Sequence, residues 1–430
     1  MPQYKKKRHS RIFNPPPKKK AAAPAKRADN GEEIKMTSAK PQKVKQKRDN
    51  MRVVKGKKLE RNRKLKILAA VIGVFLVAVI IFETILPAGI IQTVSNLTAL
   101  IGTGSYPISL SGSQTITVES MDSYYFCVSD THFSAYSNAG KILFNDPHEF
   151  ENPVLATSEG RVMLYNLGGN QAYIYDLRER KDTIETKFEI VCGDISASGN
   201  FALVTYSEKY ASAVNVYDDD CNIIYEWYSA ENTVNNVAFS SDGERIAVSV
   251  FDSVDGMFNS KVNIIDITQD DATQEFTKEY HNSLIYSLDS LDTSTFSVIK
   301  SNGIDFIDWD EYTFKNHNND YNIWLYRNCN SNVVTVFRRE NDKNDNNIII
   351  FSKDGEIEHT IKYNGMINDI RVKGSSIYCI DDYQVIVMDF NGKVIRKVEY
   401  GYSADGLSVT STDSVAVIFD DEIKKIKLDD

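Results

Sequence analysis

The sequence predicts an all-β domain of recurrent four-stranded units, set behind a basic tail and one membrane-spanning helix. Three observations predict it. Charge and composition divide near residue 66, a single long apolar run follows, and short β-branched and aromatic runs then recur about every forty residues to the end of the 430-residue chain.

The tail comes first. Residues 1–66 carry 24 Lys and Arg against 5 Asp and Glu, whereas residues 67–430 carry 26 against 54, so the net charge of -9 is the sum of two opposed blocks. Six of the ten prolines lie within the first 41 residues and all three tryptophans lie after residue 226. A segment so short of apolar side chains cannot offset the entropy of ordering its backbone, so residues 1–64 are expected to be a disordered basic tail. Its Lys5-Lys6-Lys7-Arg8 cluster is of a type that binds nucleic acid. Beside a membrane anchor it reads instead as a retention signal that attracts anionic lipid headgroups, and no nucleic-acid partner is expected.

The apolar run Ile67–Phe82 contains no charged residue. At about 1.5 Å per residue it covers about 24 Å of a hydrocarbon core of about 30 Å, so the span extends into its flanks and is placed at residues 65–88. A cleaved signal peptide would have a shorter leader and a small-residue cleavage site, and a buried core helix would show an amphipathic stripe. Lys57, Lys58, Arg61, Arg63, Lys64 and Lys66 crowd the near side, while residues 92–111 contain no Lys or Arg. That asymmetry puts the N-terminus in the cytoplasm, brings the basic flank against membrane lipid and leaves the acidic block outside a cell membrane crossed once. Residues 89–105, rich in Thr, Ser, Gly and Asn, are expected to form a stalk.

Residues 106–430 carry the repeat. One hairpin recurs as an aromatic residue, a polar turn and a β-branched strand, in Tyr136–Leu143, Tyr217–Ile224 and Phe351–Glu358, with Asp389–Ile395 following the same plan. Units start near Thr115, Pro153, Ile190, Thr233, Leu284, Ile323, Ile367 and Gly406, at intervals of 37 to 51 residues. Four strands repeating at about forty residues specify a β-propeller, in which each blade covers both faces against its neighbours. The count is eight blades, or seven should the Asn-rich unit ending near Asn322 fold otherwise. The last unit holds three strands, so the leftover strand Tyr106–Leu110 is expected to complete it and close the ring.

Third strands ending in Tyr175-Asp176, Tyr217-Asp218, Ile265-Asp266 and Trp309-Asp310 resemble WD40-like propeller repeats. The layout of basic tail, one span and outer propeller resembles an uncharacterised family of membrane-anchored propeller proteins from Gram-positive bacteria. That resemblance implies the fold and the anchoring, and supplies no catalytic residue.

Chemistry is sparse in the sequence. Gly-x-Ser-x-Gly, the phosphate-binding Gly-x-x-x-x-Gly-Lys and His-Glu-x-x-His are all missing, and the six histidines are isolated, as surface loop residues usually are. Carboxylate pairs such as Asp270-Asp271 and Asp381-Asp382 fall in expected turns, where Asp is favoured by its own backbone hydrogen bonds. Asp342–Asn346 begins like a calcium loop but lacks the glycine and the closing Glu, and reads as a solvated hairpin loop. The five cysteines are spaced as small apolar residues, not as zinc ligands or a disulfide framework. No catalytic residue, metal or cofactor is therefore expected.

Two features remain. An extended loop, residues 251–261, carries Met257 and Phe258 at its tip, which either contact a partner or fold back on a neighbouring blade. Trp324, with Tyr326 and Arg327, stands on an expected innermost strand and either edges the central channel or packs in the core. The expected function is a non-enzymatic binding or scaffolding module outside the membrane, with a protein or glycan partner. The alternative is a propeller enzyme of quinoprotein or glycan-cleaving type, which requires an acid-lined channel.

Overall fold

A computed structural model describes residue 102 and residues 104–428, apart from positions 122, 159–160, 270–273 and 330–331. The tail at 1–64, its basic flank and the span at 65–88 lie outside the described residues. Among those described, no helix is long and apolar enough to cross a membrane.

Within this region thirty-two strands form eight antiparallel four-stranded sheets. Seven sheets use four consecutive strands, giving blades 1 to 7 over residues 115–147, 153–185, 190–229, 233–280, 285–318, 322–364 and 369–399. The Asn-rich unit forms a complete sheet as blade 5, so the ring has eight blades. Blade 8 takes three strands from residues 406–427 and its fourth from Ile108–Ser109, where Ile108 pairs with Ile423. The expected closure is therefore present. Expected unit starts coincide with observed first strands or fall within two residues of them.

Side chains explain the ring. The second strands Tyr124–Ser129 and Thr295–Lys300 are buried at every position, because neighbouring blades cover both of their faces. Fourth strands such as Val394–Glu399 alternate between exposed and half-buried positions, as one-sided strands do. The hydrophobic core is divided among the joints: eight clusters are found among the described residues, each drawing on two adjacent blades. At the closing joint, Ile108, Ile418 and Ile423 of blade 8 meet Tyr125, Cys127 and Tyr136 of blade 1.

Turn chemistry repeats as well. Asp176, Asp308 and Asp389 each accept backbone N–H bonds from the turn that follows the third strand. In blade 5 the strand ends at Asp308, so Trp309-Asp310 lies in the turn and Asp308, not Asp310, is the capping residue. Trp309 is buried, with its indole N–H on the Thr293 carbonyl and Arg245 stacked 3.8 Å from its ring.

Three expectations are corrected. Residues 251–261 are not a loop: the strands Arg245–Val254 and Met257–Asp266 run on as one long hairpin. Its two-residue turn, Asp255-Gly256, has φ of 52° and 79°, the left-handed pair that matches the twist of a hairpin. Asp342–Asn346 likewise belongs to a strand, Asp342–Ser352, and the Asp345 carboxylate is held by Arg339 at 3.1 Å and by the Tyr321 hydroxyl at 3.2 Å. His148 is not a surface residue. It is buried, with Nε2 3.0 Å from the Ser129 carbonyl and Nδ1 accepting the Phe150 N–H.

Candidate functional site

The first strands of the blades surround the central channel, and their irregularities decide what faces it. In blades 1, 3, 4, 5 and 6 a bulge interrupts the pairing of the first strand, between Thr115 and Thr117, Ile190 and Cys192, Val234 and Asn236, Ile285 and Ser287, and Ile323 and Leu325. An extra residue at a bulge is unpaired and its side chain is re-aimed. Ile116, Tyr286 and Trp324 are such residues, and all three are about half exposed. Trp324 is therefore not a core residue, and it is not in the wall of the cavity described below. Its indole N–H bonds the Ile367 carbonyl at 2.9 Å and Arg338 stacks 4.1 Å from its ring.

Two residues beyond the bulge stand Glu119 in blade 1, Asp194 in blade 3, Asp289 in blade 5 and Arg327 in blade 6. The three acids and Tyr326 line a cavity of about 650 Å³, together with Asn236, Asn328 and small side chains of the first strands. Ala197 and Ser241, in turns that join first to second strands, place this cavity at the channel end bearing those turns.

Electrostatics differ around the ring. Asp194 accepts the Phe239 N–H at 2.8 Å. Burial nevertheless raises its carboxyl to about 7, overcoming backbone hydrogen bonds from Phe239 and Ile195, and the charge of Asp289 adds to the rise. Asp289 is also raised, chiefly by burial, against hydrogen bonds from Tyr326 and Asn328 and the charge of Lys353. The Tyr326 hydroxyl donates to Asp289 at 2.8 Å and lies 2.7 Å from the Ser297 hydroxyl. Glu119 is raised by burial, while Arg327 and Arg371 pull it down. Both arginines hold Asp369, at 2.9 Å from Arg327 and 2.7 Å from Arg371, and the other oxygen of Asp369 accepts the Leu407 N–H.

One side of the channel thus presents carboxyl groups, of which Asp194 exchanges its proton near neutral pH. The other presents two arginines tied to a buried carboxylate. Such an arrangement can accept hydrogen bonds from a cationic or hydroxylated group, and its three raised carboxyls can also hold or release a proton. Among the described residues, no group of three or more His, Cys, Asp or Glu is arranged to hold a metal ion.

Met257 and Phe258 lie elsewhere. They stand at the tip of the blade 4 hairpin joining second to third strands, which points to the opposite end of the ring from the cavity. Both are about half exposed, and Phe258 makes an edge contact with Phe251, the ring centroids 6.2 Å apart. Lys57, Lys58, Arg61, Arg63, Lys64 and Lys66 lie outside the described residues. Sequence reasoning missed Glu119, Asp194 and Asp289 because nothing local separates them from the many turn carboxylates. The one usable signal was their position near the end of each predicted first strand.

The profile of a family described as a family of unknown function (DUF5711) matches residues 103–428. No curated protein sequence matches the chain. Among solved structures, a eukaryotic initiation factor aligns at 11% identity with a TM-score of 0.51, covering 76% of this chain and 88% of that one. BamB from Moraxella catarrhalis aligns at 11% identity and a TM-score of 0.46, over 75% of this chain and 99% of its own. Apo AztD from Citrobacter koseri aligns at 13% and 0.49, over 68% and 88%. At such identities the first of these supports the propeller fold and nothing further.

Proposed function

For a chain that belongs to the DUF5711 family of unknown function, we propose the role of a single-pass membrane protein whose propeller lies outside the cell membrane as a binding module. The central channel is its binding site, and the ligand is a cationic group of a protein or glycan partner. The observation that carries this reading is the cavity of about 650 Å³ with Glu119, Asp194 and Asp289 in its wall. The excess of acidic residues in the block after residue 66 favours the same class of ligand, since its negative field draws cations toward the channel. Met257 and Phe258 offer the partner a second, apolar contact on the other end of the ring.

The test is calorimetric titration of the full-length chain in detergent with acetyl-arginine amide as the probe. Binding should strengthen from about pH 6 to about pH 8 as Asp194 loses its proton, and should vanish in an Asp194→Asn, Asp289→Asn double variant. Equal binding by that variant would remove the channel from the proposal. Topology is tested separately: protease added to intact cells should leave residues 1–66 uncut, and their digestion would reverse the orientation.

The acidic lining also favours a second reading, a glycan-cleaving enzyme with Asp194 as acid and Asp289 as its charged partner. Release of new reducing ends from cell-wall glycan by the wild-type chain, absent in Asp289→Asn, would select this reading over simple binding.

A further inference from the structure

Blade 8 is the one sheet whose outer strand is cut short. Its fourth strand, Ile108–Ser109, has two residues, whereas the fourth strands of the other blades have six to eight. It pairs only with Ile423 and Glu422 of the third strand, Glu422–Lys427. Pro107 has no N–H with which to continue the ladder. Before it the chain turns away toward blade 1: Gly104 donates to the Ala139 carbonyl and the Tyr106 hydroxyl to the Asn138 carbonyl.

Lys424–Lys427 therefore have no fourth-strand partner among the described residues. The direction of their backbone groups follows from the bonds on either side. Leu110 N–H reaches the Asp421 carbonyl from outside, while Phe419 N–H takes the Glu422 carbonyl from inside. Alternation along the strand then points the N–H and C=O groups of Lys425 and Lys427 outward, at an open edge. Open edges of this kind accept an added strand.

Charge decides what kind of strand. Lys425 and Lys427 are exposed, and Arg396 of blade 7 reaches the end of the same strand, its guanidinium on the Leu428 carbonyl. Lys424 is already paired with Glu422 and touches the Tyr402 hydroxyl, whereas Lys425, its ammonium 6.0 Å from the Tyr106 ring, and Lys427 are the exposed cations of the strand. In a block where acidic residues outnumber basic ones two to one, this is a basic strip beside a strand position that no described residue fills.

We propose that the Lys424–Lys427 edge of blade 8 binds an extended acidic segment of a partner protein, which adds as the missing part of the fourth strand. Backbone bonds to Lys425 and Lys427 supply the pairing, and acidic side chains at alternate positions meet the lysines.

The experiment uses the full-length chain in detergent and a fluorescein-labelled peptide Glu-Val-Glu-Ile-Glu-Val, with Lys-Val-Lys-Ile-Lys-Val as control. The acidic peptide should bind, weaken with salt, and slow hydrogen exchange at the Lys425 and Lys427 amides. A Lys425→Glu, Lys427→Glu variant should bind about tenfold more weakly or worse, while Lys425→Arg, Lys427→Arg retains binding. Both sites are exposed, and an unchanged melting temperature would establish that each variant is folded. Three results would overturn the proposal: amides already protected in the free chain, equal binding of the two peptides, or no binding of the acidic one. None depends on the channel, so the cavity reading stands or falls separately.

Discussion

The Tyr326 hydroxyl donates a hydrogen bond of 2.8 Å to the Asp289 carboxylate, joining the first strands of blades 5 and 6 inside the channel. Side chains stitch this joint further, with the Asn328 amide on the Ser290 carbonyl at 3.2 Å. Replacing Tyr326 by Phe removes the donor and leaves Asp289 with less compensation for its burial. The variant should lose about 1–3 kcal/mol of stability, read from urea unfolding at neutral pH. The loss should shrink in acid, where Asp289 becomes protonated in both forms, and a pH-independent loss would mean that the carboxylate is not the group affected.

An ion pair is sealed inside the fold. Lys300 Nζ lies 2.8 Å from Asp305, and both side chains are at most 3% exposed. Lys300 also donates to Asn318 at 2.7 Å and Asn316 to Asp305 at 2.8 Å, and the Asp305 carboxylate faces the Tyr280 hydroxyl. Lys300→Met should cost about 3–5 kcal/mol because it strands a buried carboxylate, and adding Asp305→Leu should recover most of that loss. Thermal or denaturant midpoints of the two variants check this directly. A double variant as unstable as the single one would show that packing, not charge, is at stake.

Asp194 makes stability depend on pH in a stated direction. Its folded carboxyl is raised to about 7, above the unfolded value, so the folded state binds the extra proton between the two. Its contribution is therefore favourable in acid and lost as pH rises toward 7. Asp194→Asn keeps an acceptor for the Phe239 N–H without the charge. It should be stabilising by roughly 1–2 kcal/mol at pH 8 once channel water is allowed for, and close to neutral only at about pH 4 or below, where the unfolded carboxyl also holds its proton. Melting curves at the two pH values give the comparison.

His148 acts in the opposite sense. Burial lowers its pKa and its two ring nitrogens are used by backbone groups, so the folded state holds the neutral ring. Stability from this group is present above the ordinary histidine pKa and declines as pH falls below it. His148→Gln should flatten that decline in an unfolding series from about pH 7 to about pH 5. An unaltered slope would assign it to other groups.

Ring closure rests on few residues. Ile108 is 3% exposed and packs with Ile418 and Ile423 of blade 8 against Tyr125 of blade 1. Ile108→Glu places a charge in that joint and should cost more than about 3 kcal/mol. Limited proteolysis should then cut first in blades 8 and 1. Uniform cutting around the ring would mean that closure is not the weak point.

The blades were legible in the chain because each is local. Four consecutive strands with short turns leave a pattern of β-branched runs and Asp- or Gly-containing turns that needs no distant residue to interpret. The closing strand was legible for the same reason, since one unit was a strand short and one strand was spare. Bulges were not legible: Ile116, Tyr286 and Trp324 look like ordinary strand residues until their pairing is known. The hairpin carrying Met257 and Phe258 looked like a loop because its polar residues belong to strands that extend beyond the sheet.

By itself, then, the sequence determined an all-β ring of four-stranded units and its closure, and narrowed the blade count to eight or seven, all from short-range periodicity and turn chemistry; the pairing of the Asn-rich unit into a complete sheet decided eight. Tertiary structure alone decided which of the many carboxylates share a cavity. Glu119, Asp194 and Asp289 are separated by 75 and 95 residues, and they converge only because the closed ring turns every first strand toward one axis. It likewise decided that Lys300 and Asp305 are sealed from water and that, among the described residues, Lys424–Lys427 have no fourth-strand partner. Burial and pairing depend on neighbouring blades and on register, and neither is written in the local pattern of residues.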